Sequence, residues 1–161
     1  MVVQLQEIMH GEMLEPVTIT MSRFNCQDKD VETFLKEKAL DFECRDKSRT
    51  YLVFNDCNKT LVGYFTLSLN ALPFKTEVSK NTIKRIDGFS KDVDAVGIIL
   101  IGQLGKDYIF AKEIKDNELL DICLRTIKKA KNIIGSRFVM LECLNIDKVV
   151  SFYKENGFDF L

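Results

Sequence analysis

Residues 95–104 are the stretch that most limits how this chain can fold. They read Ala-Val-Gly-Ile-Ile-Leu-Ile-Gly-Gln-Leu and are almost continuously apolar. Such a run is typical of a central strand covered on both faces, because a half-exposed strand alternates apolar and polar residues. The run is too short to cross a bilayer. We therefore expect a sheet with helices packed on both of its faces.

The elements around this strand are predicted from residue spacing and turn signals. Strands are predicted at 17–21, 48–55, 60–69, 94–104, 137–144 and from Phe158 onward. Helices are predicted at 30–42, 117–133 and 147–156, with Asp28 as the first N-cap and with Gly135 and Gly157 after the other two. The order β-α-β-β-loop-β-α-β-α-β predicts an α/β fold with a mixed sheet.

The length of 161 residues favours a single domain over 1–161. Within it, 1–16 is expected to be an N-terminal extension. Residues 73–93 are expected to form a long, Lys-rich connection with room for a short helix, either functional or a plain surface insertion. The first residues have no basic region followed by a long apolar run, so we expect a cytoplasmic protein without a signal peptide.

Charge and cysteine content exclude several classes of protein. The chain has 23 Lys+Arg against 24 Asp+Glu, so binding of nucleic acid by bulk charge is not expected. Local basic faces remain possible at 75–91 and 125–137. The five cysteines include no C-x-x-C pair, and His10 is the one histidine, so no metal site is predicted. Free thiols indicate a reducing compartment, and Cys123 and Cys143 are expected to be buried.

The most informative motif lies near the C-terminus. A strand ending in Leu141-Glu142-Cys143-Leu144 precedes Phe152-Tyr153-Lys154-Glu155-Asn156-Gly157-Phe158. Gly157 permits a left-handed turn after the helix, and the two phenylalanines can pack that turn onto the sheet. This arrangement resembles the F-Y-x-x-x-G-F end of the GNAT acetyltransferase fold, and the element order agrees with that family. Residues 30–35 and 50–54 also resemble its small bacterial and phage branch, which includes tRNA-acetylating toxins.

The resemblance, which covers roughly 17–161, implies an acetyl-CoA-dependent N-acetyltransferase. Tyr153 would be the general acid that protonates the leaving thiolate, although a phenol here can also be only a packing plug. Main-chain groups at the end of the fourth strand, Leu104, Gly105 and Lys106, would hold the pantetheine arm and thioester. Gly105 would either let the cosubstrate approach closely or form a simple strand-end turn.

The resemblance places the pyrophosphate of CoA at the loop before the next helix, where the family has Q/R-x-x-G-x-G/A. The matching residues here contain no glycine: Ala111, Lys112, Glu113, Ile114, Lys115, Asp116 and Asn117. Either ordinary residues and lysine charge bind acetyl-CoA, or the chain is a degenerate domain that serves as a binding or regulatory module.

The acceptor remains open among a small amine, a protein amine and an aminoacyl-tRNA in a toxin-like setting, although the net charge does not favour tRNA. Glu142 and Asp147 are candidates for a base or a substrate-orienting group, and water is the alternative. The family usually adds a seventh strand, so a sequence ending at Leu161 suggests truncation or a homodimer that completes the sheet edge.

Overall fold

The computed structural model describes residues 1–74 and 78–159. Within these ranges, five strands form one mixed sheet in the order β1-β2-β3-β4-β5. The strands are β1 Val2–Gln4, β2 Arg49–Phe54, β3 Leu61–Pro73, β4 Ala95–Lys106 and β5 Phe138–Leu141. Neighbours from β1 to β4 are antiparallel, and β4 and β5 are parallel. The predicted hairpin of β2 and β3 and the mixed sheet are confirmed.

The helices cover both faces of this sheet, as predicted. They are α1 Leu5–Ile8, α2 Leu14–Ser22, α3 Lys29–Thr33, α4 Ala39–Cys44, α5 Lys80–Asp87, α6 Asp116–Ile134 and α7 Asp147–Glu155. A π-helical turn, Phe34–Lys38, joins α3 to α4. The predicted N-cap of α3 is confirmed, because the Asp28 carboxylate accepts hydrogen bonds from the amides of Asp30 (2.9 Å) and Val31 (3.2 Å). No helix in the described part of the chain is long and apolar enough to cross a membrane.

Two apolar clusters hold the layers together, one on each face. Helices α1 to α4 pack on one face, where Leu5, Leu35, Leu52 and Tyr64 are fully buried or nearly so. Helix α6 packs on the other face, and its side chains join residues of β2, β3 and β4; this cluster includes Phe65, Leu67, Ile99, Ile101, Leu119, Cys123 and Ile127. Each fully buried aliphatic side chain stabilises the fold by about 1.5–3 kcal/mol. In β4, Ile99 and Ile101 face α6, whereas Ile98 is buried on the other face and Gly105 lies against Val31, so the prediction that β4 is covered on both faces is confirmed at these positions.

The predicted strand at 17–21 is wrong, because these residues belong to helix α2. Its β-branched residues favoured a strand, but Val17 and Met21 are buried at helical spacing. The hydroxyls of Thr18 and Thr20 donate to the carbonyls of Leu14 (2.8 Å) and Pro16 (3.0 Å) one turn earlier. Tertiary burial of one helical face outweighs the local preference for a strand.

The first strand instead lies at the very start of the chain, so 1–16 is not an extension outside the fold. Val2, Val3 and Gln4 pair with Val53, Leu52 and Tyr51 of β2, respectively. Leu5 directly after them is fully buried. The N-terminal residues therefore supply an edge strand and part of the core.

The long connection between β3 and β4 contains the short helix α5. Ser79 caps its start by accepting a hydrogen bond from Thr82 N, and Gly88 ends it with φ 86°. The guanidinium of Arg137 donates to the last-turn carbonyl of Ile86 at 3.1 Å, which ties α5 to the residue before β5. At the C-terminus, Phe158 and Asp159 are not in a strand. The rest of the predicted last strand, Phe160 and Leu161, lies outside the described residues.

Candidate active site

The central feature of the candidate site is a gap between β4 and β5. The two strands pair only over Ile98–Ile101 and Phe138–Leu141, whereas β4 continues to Lys106. Beyond Ile101, the side of β4 that faces β5 therefore has no strand partner in the described part of the chain. A free strand edge presents backbone N–H and C=O groups that can pair with an extended ligand. The expected cofactor residues Leu104, Gly105 and Lys106 lie on this edge.

A β-bulge at Gly102 marks the point where the gap begins. Leu67 lies opposite Ile101 and Thr66 lies opposite Gln103, so Gly102 is an extra residue without a partner in β3. A bulge bends and twists its strand locally. The bulge therefore lies directly after Ile101, the last residue of β4 that pairs with β5.

The sequence suggested that Gly105 either lets the cosubstrate approach or forms a strand-end turn. The structure shows a third reason for glycine at this position, which is close packing against α3. Gly105 is buried, and a Cβ at this position would lie 2.5 Å from Val31 Cγ1 and 3.2 Å from Tyr64 Cε1. The missing side chain therefore makes room for α3, which lies on the face of β4 opposite α6. The close packing of α3 is by itself sufficient to favour glycine at this position.

Tyr153 lies on α7, which returns from the end of β5. Its ring makes edge contacts with Phe152 (centroids 5.2 Å apart) and Phe158 (5.7 Å apart). Its carbonyl accepts a hydrogen bond from Phe158 N at 3.0 Å, and Gly157 takes a left-handed φ of 85°. Phe158 and Leu104 pack against the same apolar cluster on the α6 face. Phe158 thus packs onto the sheet as predicted, whereas the contact shown for Phe152 is with the ring of Tyr153.

The environment of Tyr153 keeps its phenol protonated. Burial raises the pKa of Tyr153 to about 12, with smaller contributions from the nearby thiols of Cys143 and Cys123. The side chain is half-buried, and its hydroxyl makes no hydrogen bond within the described residues. At neutral pH this group can donate a proton or a hydrogen bond.

The loop from Asp107 to Lys115 connects the free edge of β4 to α6. Its first residue was missed by sequence reasoning: Asp107 is buried, and its carboxylate accepts hydrogen bonds from the amides of Asn25 (2.9 Å), Ile109 (2.8 Å) and Phe110 (3.3 Å). The amide of Tyr108 donates back to the Asn25 carbonyl at 2.6 Å. An aspartate directly after a buried strand, where a turn must begin, is the signal that could have identified it.

The middle of the loop is tied to the hairpin of β2 and β3. The Glu113 carboxylate accepts hydrogen bonds from Asn55 Nδ2 at 2.7 Å, Asn58 Nδ2 at 3.2 Å and Thr60 Oγ1 at 3.0 Å. Burial acts to raise the pKa of Glu113, but the hydrogen bonds from Asn58, Thr60 and Asn55 bring it below its ordinary value. The side chain of Glu113 therefore binds the hairpin.

Carboxylates already occupy the start of α6. Lys106 Nζ pairs with Asp116 Oδ1 at 2.5 Å. Glu118 Oε2 accepts a hydrogen bond from Lys115 N at 2.7 Å, which caps the first turn. Negative side chains are favourable at a helix N-terminus, and they compete there with an incoming phosphate.

The other residues predicted to bind the cosubstrate in this loop differ in their burial. Ile114 is buried in the cluster on the α6 face and anchors the loop. Ala111 is half-buried, whereas Lys112 and Asn117 are exposed. The loop thus brings two exposed lysines, Lys112 and Lys115, near the helix start.

The candidate bases are exposed and separate from these contacts. Glu142 directly follows β5, and Asp147 is the first residue of α7, where a negative charge complements the helix dipole. Neither makes a side-chain hydrogen bond or an ion pair with any described residue. Cys123 is buried as predicted, but Cys143 is exposed, because β5 ends before it.

The two predicted basic faces, 75–91 and 125–137, differ in whether their cations are paired. In 75–91, Lys75 lies outside the described residues, and Lys80 is paired with Asp92 at 2.9 Å. In the second, Arg125, Lys128 and Lys129 are exposed along α6 and have no acidic partner among the described residues. Within the same part of the chain, no group of three His, Cys, Asp or Glu side chains is arranged to hold a metal ion.

A mixed sheet in which β4 and β5 pair only as far as Ile101, with helices on both faces, fits a GNAT-type fold. Solved structures share it. AtaT complexed with acetyl-methionyl-tRNAfMet matches with a TM-score of 0.68 and 23% identity, over 86% of this chain and 79% of AtaT. A tyrosine-to-phenylalanine variant of KacT matches with a TM-score of 0.71 and 20% identity, over 97% and 85%. AtaTR bound with acetyl-CoA matches with a TM-score of 0.70 and 20% identity, over 88% and 79%.

No family model matches the sequence. At these identities the likeness shows the fold, so the resemblance to the small bacterial toxins of the GNAT type is confirmed at that level.

Proposed function

We propose that this chain is an acetyl-CoA-dependent N-acetyltransferase that transfers an acetyl group to an amine by direct attack on the thioester. The observation that carries the proposal is the unpaired edge of β4 beyond Ile101. Its backbone groups are suited to hold the amides of the pantetheine arm as an added strand would be held. The acetyl-CoA bound in the AtaTR structure, which has the same fold, supports this assignment.

The chemistry would use Tyr153 as the general acid. The amine nitrogen attacks the thioester carbon, the C–S bond breaks, and the sulfur leaves with the electron pair. Tyr153, with its pKa raised to about 12, keeps its proton at neutral pH and can donate it to that sulfur. The amine loses one proton to water or to Glu142 or Asp147, and solvent reprotonates Tyr153. General acid catalysis of this kind is worth roughly 10²–10⁴ in rate.

The residues at the start of α6 fit the phosphates of CoA in part. Lys112 and Lys115 are exposed cations, and Glu113 is directed at the hairpin. Asp116 opposes an anion, but it already pairs with Lys106. Phosphate binding would use backbone amides together with Lys112 and Lys115. Lys106 would also contribute after it leaves Asp116 and pairs with the phosphate.

The acceptor that we propose first is the amino group of an aminoacyl-tRNA. The AtaT structure contains acetyl-methionyl-tRNAfMet, and the exposed cations Arg125, Lys128 and Lys129 give this chain a surface for phosphate groups. Small amines and protein amines are the competing acceptors.

A second candidate function is a degenerate domain that binds a partner without catalysis. The observation in its favour is the acidic start of α6, where Asp116 and Glu118 stand in a segment that lacks glycine. These carboxylates would weaken phosphate binding at the helix N-terminus.

Calorimetric titration of the purified protein with acetyl-CoA separates the two functions. A Kd in the micromolar range, about −8 kcal/mol, supports the enzyme. Transfer of radiolabelled acetyl groups to aminoacyl-tRNA, to small amines and to peptides then identifies the acceptor. Absence of binding at millimolar acetyl-CoA would exclude the enzyme and favour the degenerate domain.

A further inference from the structure

We propose that Glu113 is a positioning residue for acetyl-CoA. Its hydrogen bonds to Asn55, Asn58 and Thr60, here called the latch, hold the loop before α6 against the turn between β2 and β3. This inference rests on the proposed function, since the loop would carry the backbone groups that meet the phosphates. The segment from Lys106 to Ile134 contains no glycine. Its path must therefore be fixed by contacts rather than by special backbone freedom.

The turn holds its donors ready for a carboxylate. Asn55 Oδ1 accepts from Cys57 N at 2.8 Å, and this bond turns its Nδ2 group toward Glu113. Asn58 Oδ1 accepts from Thr60 N at 3.1 Å, which orients its Nδ2 in the same way. The turn is closed by Asn55 N donating to Thr60 O at 2.9 Å. The turn thus sets the direction of both amide groups through its own backbone.

The latch joins parts of the chain that are far apart in sequence. Its hydrogen bonds span 53 to 58 residues, from the hairpin to the loop. Ile114, the next residue, is buried in the cluster on the α6 face, and Lys115 is the N-cap of α6. Fixing Glu113 therefore sets the course of the backbone directly before the first amides of the helix.

The latch also holds a negative charge. The carboxylate charge of Glu113 is bound by neutral donors of the hairpin. A released Glu113 would add a mobile carboxylate to the loop that precedes Asp116 and Glu118. The latch therefore favours anion binding by ordering the loop.

The test compares wild type with Glu113→Gln, Asn58→Asp and the double variant Glu113→Gln/Asn58→Asp, and a fifth protein serves as control. In Glu113→Gln two amides face each other, and in Asn58→Asp two carboxylates face each other. In the double variant the carboxylate is at position 58, and the amide at position 113 donates to it. Glu12→Gln, which removes an exposed carboxylate elsewhere, is the matched control. Acetyl-CoA affinity, steady-state kinetics and amide hydrogen exchange over 108–114 are measured for each.

We expect Glu113→Gln to raise KM and Kd for acetyl-CoA about fivefold to tenfold while kcat changes less than about twofold. Exchange of the loop amides should become several-fold faster in the free protein. The double variant should recover both properties to within about twofold of wild type. Wild-type affinity and exchange in Glu113→Gln, or absence of rescue, would overturn the latch. Failure of the wild-type protein itself to bind acetyl-CoA would instead overturn the proposed function.

Discussion

Gly105 lies so close to Val31 that a Cβ at position 105 would be 2.5 Å from Val31 Cγ1. The contact joins the free end of β4 to α3 and brings the backbone carbonyl of Val31 to the Tyr64 hydroxyl, which donates to it. Helix α3 therefore packs against the part of β4 that has a free edge at the candidate site. Changes at this contact test whether the site depends on that support.

Gly105→Ala is expected to destabilise the fold by about 1–3 kcal/mol, because the new methyl group overpacks the interface with α3. Urea denaturation measures the loss. The double variant Gly105→Ala/Val31→Ala should recover part of it, since the smaller side chain makes room. Gly97→Ala is the control, because a Cβ there meets no atom within 4 Å. Equal effects at 97 and 105 would contradict this packing.

Tyr153→Phe is expected to keep acetyl-CoA affinity while acetyl transfer falls roughly 10²–10⁴-fold, because the ring packing remains and the proton is lost. Since the pKa of Tyr153 is raised to about 12, the wild-type rate should show no loss from its deprotonation near pH 10. Calorimetry and a pH-rate profile of both proteins measure these effects. A variant as active as wild type would remove Tyr153 from the mechanism.

Asp116→Asn is expected to tighten acetyl-CoA binding about twofold to fivefold, because it removes an anion from the helix N-terminus and frees Lys106. The gain should shrink as salt concentration rises. Calorimetry at low and high salt measures it. Weaker binding in the variant would mean that phosphate does not approach this helix start.

Acid is expected to loosen α3 and the π-helical turn that follows it through Glu32. This carboxylate pairs with Lys36 (2.8 Å) and Lys29 (2.9 Å), whose hydrogen bonds lower its pKa from 4.5 to about 2. Because the folded pKa is below the unfolded one, Glu32 stabilises the fold above pH 4.5, and this contribution is lost as the pH falls toward 2.

Glu32→Gln should therefore flatten the fall in stability between pH 4.5 and 2, as measured by thermal unfolding at a series of pH values. Glu12→Gln is the control, and it should retain the wild-type slope. The same slope in both variants would show that other carboxyl groups govern acid unfolding.

Local signals were sufficient for elements whose start, end and apolar period agree. Asp28 marks the start of α3 through its side-chain oxygen, and Gly135 and Gly157 mark the ends of α6 and α7. The central strand was found because both of its faces are apolar. These signals are local, so one sequence is enough to read them.

The errors have long-range causes. Residues 17–21 are β-branched, yet the burial of Val17 and Met21 against the sheet makes them a helix. The short β1 exists because β2 pairs with it from more than 45 residues away. The bonds of Glu113 to Asn55, Asn58 and Thr60 could not be predicted, because they depend on the folded hairpin. Contacts of this kind cannot be inferred from spacing along the chain.

Because Gly102 is an extra residue in β4, odd-numbered residues lie on one face of the strand before it and on the opposite face after it. Before it, the odd residues Ile99 and Ile101 lie on the α6 side; after it, Leu104 lies on that side and position 105 faces Val31. Pairing relatives to this strand without allowing for the extra residue would therefore exchange the faces of every residue at the candidate site. Deleting Gly102 should remove the bulge and leave Gln103, Leu104 and Gly105 opposite Thr66, Phe65 and Tyr64 as they are now, so the deletion changes the bend of the strand without exchanging its faces.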